Sequence, residues 1–466
     1  NKIYVCYIMS IYSTSLKQQV YEARQFNQTR CEFRLDRSAT YYSNLRLVGV
    51  GASCSGSVDA YNRNAGAYSV IKQIVLLDGG MELERCDETN RYLAWKNQLS
   101  KNQANRYVNQ RLAKHSLGFR LIDNGTNANV DAGGAGGQTG SAGEGALRYS
   151  VPLNTTTGAD LEKTTSWLDL RECLPLLNNL IALDTDLMPN LRIQIEWESN
   201  PLKILQTDTT KTITIQQPVL VADMVKDPAL AQSLRSQINS VVWKTYEHDQ
   251  VIIPASARGA DQTDNVGVLQ NVNKTINGFD NKFLHRLMMS KTFSNKALTT
   301  GTNNGAGTAV VPNESMGYGD FRSQAQHKEK VQFVVNGGNV FTGEGLTSSS
   351  QKADIHAECW GELNVVPFAH LQRVGLDTNL LASQNDEGVA LHQSVAGSSS
   401  LVGQADYVGV RVEERVRQLD LNYSRNCLAD AMTNKLESEE LEVHFFGEVS
   451  KSLVLDGRGS YTISYL

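Results

Sequence analysis

The sequence predicts a mainly β protein organised in two halves, and three observations carry that prediction. Leu191, Ile193, Ile195 and Trp197 alternate with Arg192, Gln194, Glu196 and Glu198, the period-two signature of a strand with one buried face. Similar alternation recurs along the chain between turns rich in Gly, Asn, Asp and Ser. The 466 residues, 41% apolar and 20% charged, suit two β domains of about 200 residues each and exclude a disulfide-stapled miniprotein or a disordered chain.

In chain order, alternation predicts strands over Cys31–Arg37 and Leu45–Val50. Val70–Leu77 runs into Asp78-Gly79-Gly80 and returns through Met81, Leu83 and Arg85, a hairpin whose Asp-Gly step supplies positive φ. From Thr89 or Asn90, a loose stripe of Trp95, Leu99, Val108 and Leu112 among polar residues predicts a helix on the surface or in a subunit contact. Gly125–Gly145 is too poor in apolar residues to fold alone and reads as an inserted surface loop before strand-like Leu147–Leu153. Leu174–Leu187 contains Pro175 and Asn178-Asn179, which predict a helical turn or irregular loop over a sheet end. After the strand at Leu191–Trp197, Pro201 acts as a stop, and Asn200–Thr210 is the least β-like stretch near the midpoint. A division there gives residues 1–205, with an N-terminal arm and the Gly-rich loop 125–145, and residues 206–466.

In the second half, Lys211–Ile215 alternates, and Asp227-Pro228 has the chemistry of a helix start, followed by Ala231, Leu234 and Ile238 at helical spacing. Strands follow near Val241 and at Val331–Val335, Val408–Val412 and Leu441–Phe445. A second hairpin joins Ser452–Leu455 through Asp456-Gly457 to Tyr461, Ile463 and Tyr465. Segments at Thr299–Thr308, Asn336–Ser350 and Ser394–Gly403 read as projecting loops.

Charge and motifs restrict function. Forty-four basic against 49 acidic residues give a net charge of −5, so no overall basic field exists to coat nucleic acid, and direct sequence-specific nucleic-acid binding is not expected. The longest apolar run, Ile3–Tyr12, is too short to span a bilayer, which predicts a soluble protein. Seven scattered cysteines without a C-x-x-C pair read as reduced thiols of a protein made inside a cell. Gly133-Gly134-Ala135-Gly136-Gly137 lacks the Gly-Lys-Ser/Thr ending of a phosphate loop. His356-Ala357-Glu358 has the H-x-E half of a zinc deaminase motif without P-C-x-x-C, and Cys359-Trp360 beside it reads as buried. Gly51-Ala52-Ser53-Cys54-Ser55-Gly56 misses a nucleophile elbow by one position. Glu437, Glu439, Glu440 and Glu442 lack the spacing of a calcium loop and read as a solvated acidic edge. The mixed run Arg411–Arg417 suits a salt-bridged strand, exposed or interfacial. No catalytic, cofactor-binding or metal-ligating residue is assigned, and the protein is not expected to be an enzyme.

Leu147–Leu153 (LRYSVPL), Leu174–Leu177 (LPLL) and Leu191–Glu198 (LRIQIEWE) together resemble the double jelly-roll major capsid proteins of tailless double-stranded DNA viruses. That lineage includes virophages, polinton-like viruses and adintoviruses, with adenovirus hexon as a distant cousin. In the family, a strand ending in "PL" leads through an "LPL"-like step to the strand that completes the first jelly roll. Leu441–Phe446 and Ser452–Leu466 are similar to the closing strands of the second.

The resemblance implies two tandem eight-stranded jelly rolls with few short helices and long surface loops. It implies a homotrimer of pseudo-hexagonal outline that tiles an icosahedral virion shell and is assembled inside the host cell. Its partners would be itself, in the trimer and in neighbouring capsomers, together with penton and minor capsid proteins, with an internal membrane as a further candidate. Two other classes fit a decorated β sandwich: a carbohydrate-binding or adhesive fibre or receptor-binding protein, and a β-sandwich hydrolase with a dispersed site.

Overall fold

Strands with one apolar face must close that face against a second sheet. The computed structural model describes residues 15–54, 59–60, 65–99, 152–153, 166–204, 212–238, 240–256, 268–293, 303–304, 308–309, 330–347, 351, 355, 358–359, 407–427, 440–455 and 461–466. It is mainly β, and it is built as two jelly rolls in tandem.

The second jelly roll is the more fully described. Its strands, in chain order, are Val241–Ile253, Val268–Thr275, Phe283–Phe293, Lys330–Val335, Gly338–Asn339, Tyr407–Arg415, Leu419–Cys427 and Leu441–Leu455. One sheet orders them first, eighth, third, sixth, and the other second, seventh, fourth, fifth. This is jelly-roll connectivity, in which successive strands alternate between facing sheets except for the fourth and fifth, which form a hairpin within one sheet. Tyr461–Tyr465 extends the first sheet beside Leu441–Leu455. Gly338–Asn339, in a stretch expected as a loop, supplies the short fifth strand through a turn at Asn336 and Gly337, both with positive φ. Between the sheets lie Leu287, Met289, Phe333, Leu421, Val443 and Phe445.

The first half repeats the device. Leu191–Trp197 lies between Arg30–Arg34 and Ile71–Asp78, as Leu441–Leu455 lies between Val241–Ile253 and Phe283–Phe293. Its facing sheet runs Ser166–Asp169, Arg46–Val50, Val219–Val225, Thr40–Tyr42, Ala182–Asp184, with Leu16–Glu22 also on Val219–Val225. The alternation expected at Leu191–Trp197 is realised residue by residue, odd positions inside. The expected hairpin forms across Gly79–Gly80, where Gly79 takes φ +59° and Asn190 accepts its amide proton at 3.1 Å.

Three expectations need correction. The division after residue 205 cuts a sheet: Ile213–Ile215 pairs with Ala52–Cys54, and Val219–Val225 with Arg46–Val50, so pairing carries the first half to Val225. The weak β signal at 200–210 marks a connection inside the first unit, not its end. The region Leu174–Leu187 does contain a helical turn, Leu176–Asn179, yet also a strand, Ala182–Asp184. The polar helix from Thr89 is a helix, Thr89–Leu99, but it is buried from Thr89 to Trp95. Val108, Leu112, Gly125–Gly145 and Ser394–Gly403 lie outside the described residues.

The Asp227-Pro228 start is realised in the helix Pro228–Gln237, where Asp227 accepts from the Ala229 amide at 2.9 Å. Leu234 and Ile238 pack on Ala182 and Val225, covering the outer side of the first half.

Gly447, on the long central strand, lets the buried Phe279 ring cross the backbone. A Cβ there would stand 2.8 Å from Leu284 and closer still to the ring. Gly447→Val is expected to lower unfolding stability by about 1–3 kcal/mol, as overpacked sites do, measured by denaturant titration.

Candidate functional site

The residues that join the halves form an extended buried polar cluster. It begins at a bulge. In the strand Met81–Cys86, Glu84 pairs with Leu76 and Glu82 with Leu77, so Leu83 is an extra residue. A bulge turns consecutive side chains inward, and Leu83 and Glu84 are both buried. Glu84 accepts from the Leu176 amide of its own half at 2.7 Å and meets the second half, where Trp243 Nε1 donates to it at 3.0 Å and the Thr245 hydroxyl also bonds it. Burial pushes this carboxyl up to about 7 despite those donors and nearby Lys451.

Past Cys86 the chain turns through Glu88, at φ +45°, into the helix Thr89–Leu99. Tyr92 and Trp95 on this helix pack on Tyr246 and Phe446, with ring centroids 5.1–6.4 Å apart. Successive strand residues face opposite sides, so Trp243 and Thr245 lie on one face of Val241–Ile253, and Tyr246 and His248 on the other. The first half therefore grips this edge strand from both faces, with Glu84 on one side and the helix on the other.

Charges line the helix side. Arg91 Nε donates to Glu88 at 2.8 Å, and Lys203 Nζ lies 3.2 Å from Glu88 and 3.3 Å from Glu198, which also accepts from Asn90 at 3.1 Å. Burial opposes the charge on Glu88, but Lys203 and Arg91 hold its carboxyl well below the usual range. On the second half's side of the joint, His248 Nε2 and His444 Nδ1, from adjacent strands, are 3.0 Å apart. Burial keeps both uncharged: His248 is pushed down to about 3, helped by His444, and His444 lies well below its ordinary value, helped by Arg91. His444 is thus neutral where it stands 3.6 Å from Glu442, whose side chain also lies 3.8 Å from Arg91. Glu442, expected on a solvated edge, sits in this joint instead; Glu437 and Glu439 are outside the described residues. The C-terminal strand adds a further tie, Tyr461 Oη donating to Asp78 at 2.8 Å.

The cluster positions buried titratable groups at the joint, and no group of three or more metal-ligating side chains occurs among the described residues. Cys31, Cys86 and Cys359 are buried and, for that reason, pushed up to about 12, so they stay protonated thiols. Cys359 is buried as expected, while His356, Trp360 and the 133–137 glycines lie outside the described residues. Ala52–Cys54 is a strand paired with Ile213–Ile215, and residues 55–58 are outside the description. Within the Arg411–Arg417 run, the strand Tyr407–Arg415 pairs with Phe283–Phe293.

A second cluster was not anticipated. His285, at a bulge, stands 2.7 Å from Ser450 Oγ through Nε2 and 3.0 Å from Glu413 through Nδ1, and Glu413 has φ +51°. These are the groups and the order of an acyl-transfer relay. Ser450, however, lies mid-strand, opposite Lys244 on one side and bonded to the Leu466 amide on the other, unlike a nucleophile raised on a sharp turn. The relay ties three adjacent strands.

No protein-family model matches the chain, and no curated protein does. Solved structures do. A chain of the Sputnik virophage, from its 3.5 Å cryo-EM structure, superimposes with a TM-score of 0.52 at 11% identity, covering 97% of this chain and 88% of its own. The mavirus major capsid protein matches with a TM-score of 0.52 at 8% identity, covering 96% and 90%. PBCV-1 VP54, fitted into a reconstruction of Sputnik, gives 0.50 at 11% identity, covering 97% of both chains. The likeness is one of fold, and it spans both halves.

Trp243→Phe keeps the ring but removes a donor from buried Glu84. It is expected to cost about 1–3 kcal/mol of unfolding stability at pH 8, where Glu84 is charged, and less at pH 5, where it is protonated; denaturant titrations at the two pH values measure the difference.

Proposed function

We propose that this chain is the major capsid protein of a double-stranded DNA virus, assembled inside the host cell into the shell of the virion. The observation that carries the reading is the likeness over 96% of the chain to the mavirus major capsid protein, which takes in both jelly rolls. Three chains with two similar sandwiches each present six lobes around a threefold axis, so duplication gives a near-hexagonal tile from trimer symmetry. Function then resides in shape and in contacts with copies of itself, in the trimer and between capsomers. Penton and minor capsid proteins would complete the shell, and an internal membrane is a candidate surface beneath it. The net charge of −5 suits a subunit that packs against itself without strong repulsion. No catalytic step is required of it.

A hydrolase reading has one observation in its favour, the Ser450–His285–Glu413 relay. An adhesive, carbohydrate-binding reading would need exposed aromatic platforms. Among the described residues, the strongly exposed aromatic is Tyr465, whose ring lies under Lys282 and Lys451, 4.4 and 4.8 Å from their ammonium groups.

The purified protein is expected to form a trimer of about 154 kDa by light scattering, three times the 51.3 kDa chain, and pseudo-hexagonal particles by negative-stain microscopy. A stable monomer with no such particles would overturn the capsid reading. A fluorophosphonate probe should leave the chain unlabelled; labelling abolished by Ser450→Ala would establish the hydrolase instead.

A further inference from the structure

We propose that the two halves are joined by an acid-operated latch, in which His248 and His444, bonded to each other beside Glu88 and Arg91 of the first half, keep the joint closed while neutral and release it on taking up protons. The geometry is a 3.0 Å contact between one nitrogen of each ring, which one shared N–H satisfies. Two protonated rings would place donor against donor at that distance, so the pair titrates as a unit and the second proton is the disruptive one.

The surroundings oppose that proton. Facing the pair from the first half are Glu88, Arg91 and Lys203, with Glu198 behind Lys203; on its own sheet stand Asp249 and Glu442. Arg91 and Lys203 already occupy Glu88, and the remaining neighbours Tyr92, Tyr246 and Phe446 offer no charge. In the open state, water would solvate both imidazolium ions.

The sign follows from the three kinds of group. The histidines have ordinary values of 6.5 and are lowered when buried, so the stability they lend is present above pH 6.5 and lost as pH falls. Glu88, lowered from 4.5, acts the same way below pH 4.5. Glu84 opposes them: raised from 4.5 to about 7, it lends stability below pH 4.5 that is lost as pH rises through 7. Between pH 4.5 and 6.5, opening therefore takes up two protons at the histidines and gives one up at Glu84. The opening constant should rise about tenfold per pH unit of acidification near pH 5.5, and about a hundredfold per unit near pH 4.5, where Glu84 and Glu88 are each half titrated in the open state and cancel.

Native-state hydrogen exchange of the full chain against pH, corrected for intrinsic exchange, reads this constant at Thr89–Leu99 and Leu441–Leu455. His248→Gln with His444→Gln should reverse the trend, acid now closing the joint about tenfold per unit through Glu84 alone, and Glu84→Gln should steepen the wild-type rise to about a hundredfold. A flat wild-type profile, or a double variant that keeps the wild-type slope, overturns the proposal. If the double variant does not fold, the absolute slope of Glu84→Gln decides: a rise of about a hundredfold per pH unit near pH 5.5 supports the latch, and a rise of less than about tenfold overturns it. The opening is intramolecular and is read as a slope against pH, so its failure is distinguishable from failure of the capsid reading, which light scattering tests.

Discussion

The structure depends on one constraint: the edge strand Val241–Ile253 must be gripped from both faces by a single bend of the first half. Glu84 holds one face through Trp243 and Thr245, and Tyr92 and Trp95 hold the other through Tyr246 and Phe446. A bare edge strand is a template for unwanted pairing, and here a neighbouring domain packs against the faces of this one around Trp243 to Tyr246. The polar part of the grip adds little net stability, because burying charge is costly even when it is paired. What it does is penalise misdocking. A shift of the strand by two residues would separate Glu84 from Trp243 and leave a buried carboxyl short of donors.

This explains which parts of the molecule were legible in the sequence. Leu191–Trp197 was legible because its partners on either side are strands of the same sheet and its apolar face meets only apolar residues. The helix at Thr89 was legible as a helix but not as a buried one. Its polar residues satisfy one another and their neighbours, Asn90 with Glu198 and Arg91 with Glu88, and composition does not distinguish that from solvation. Glu84 was hidden by the bulge at Leu83, which breaks the period on which strand reading relies. His248 and His444 are 196 residues apart, and nothing local announces their contact. The end of the first half was misplaced because Val219–Val225 follows a stretch with loop chemistry, whereas sheet pairing is a long-range property.

Duplication is visible in connectivity more than in residues. In both halves a late strand is inserted between two early ones, and in both the following layer pairs a second strand with a late one, Arg46–Val50 with Ser166–Asp169 and Val268–Thr275 with Leu419–Cys427. The two units have then diverged in their attachments. The first carries the clasping helix and the outer helix Pro228–Gln237, and the second presents the strand that is clasped.

The insertion of Leu441–Leu455 at the centre of its sheet has a bearing on synthesis. Val241–Ile253 and Phe283–Phe293 emerge from the ribosome long before the strand that must lie between them, and Tyr461 reaches back 383 residues to Asp78. Contacts of such separation form slowly and leave apolar surface open in the meantime. A nascent chain therefore waits with its second sheet unjoined and its clasp without Phe446 and His444. Only when Leu441–Leu455 and Tyr461–Tyr465 arrive do the sheet and the tie to Asp78 close, so a chain cut short before Leu441 lacks both and leaves the joint incomplete.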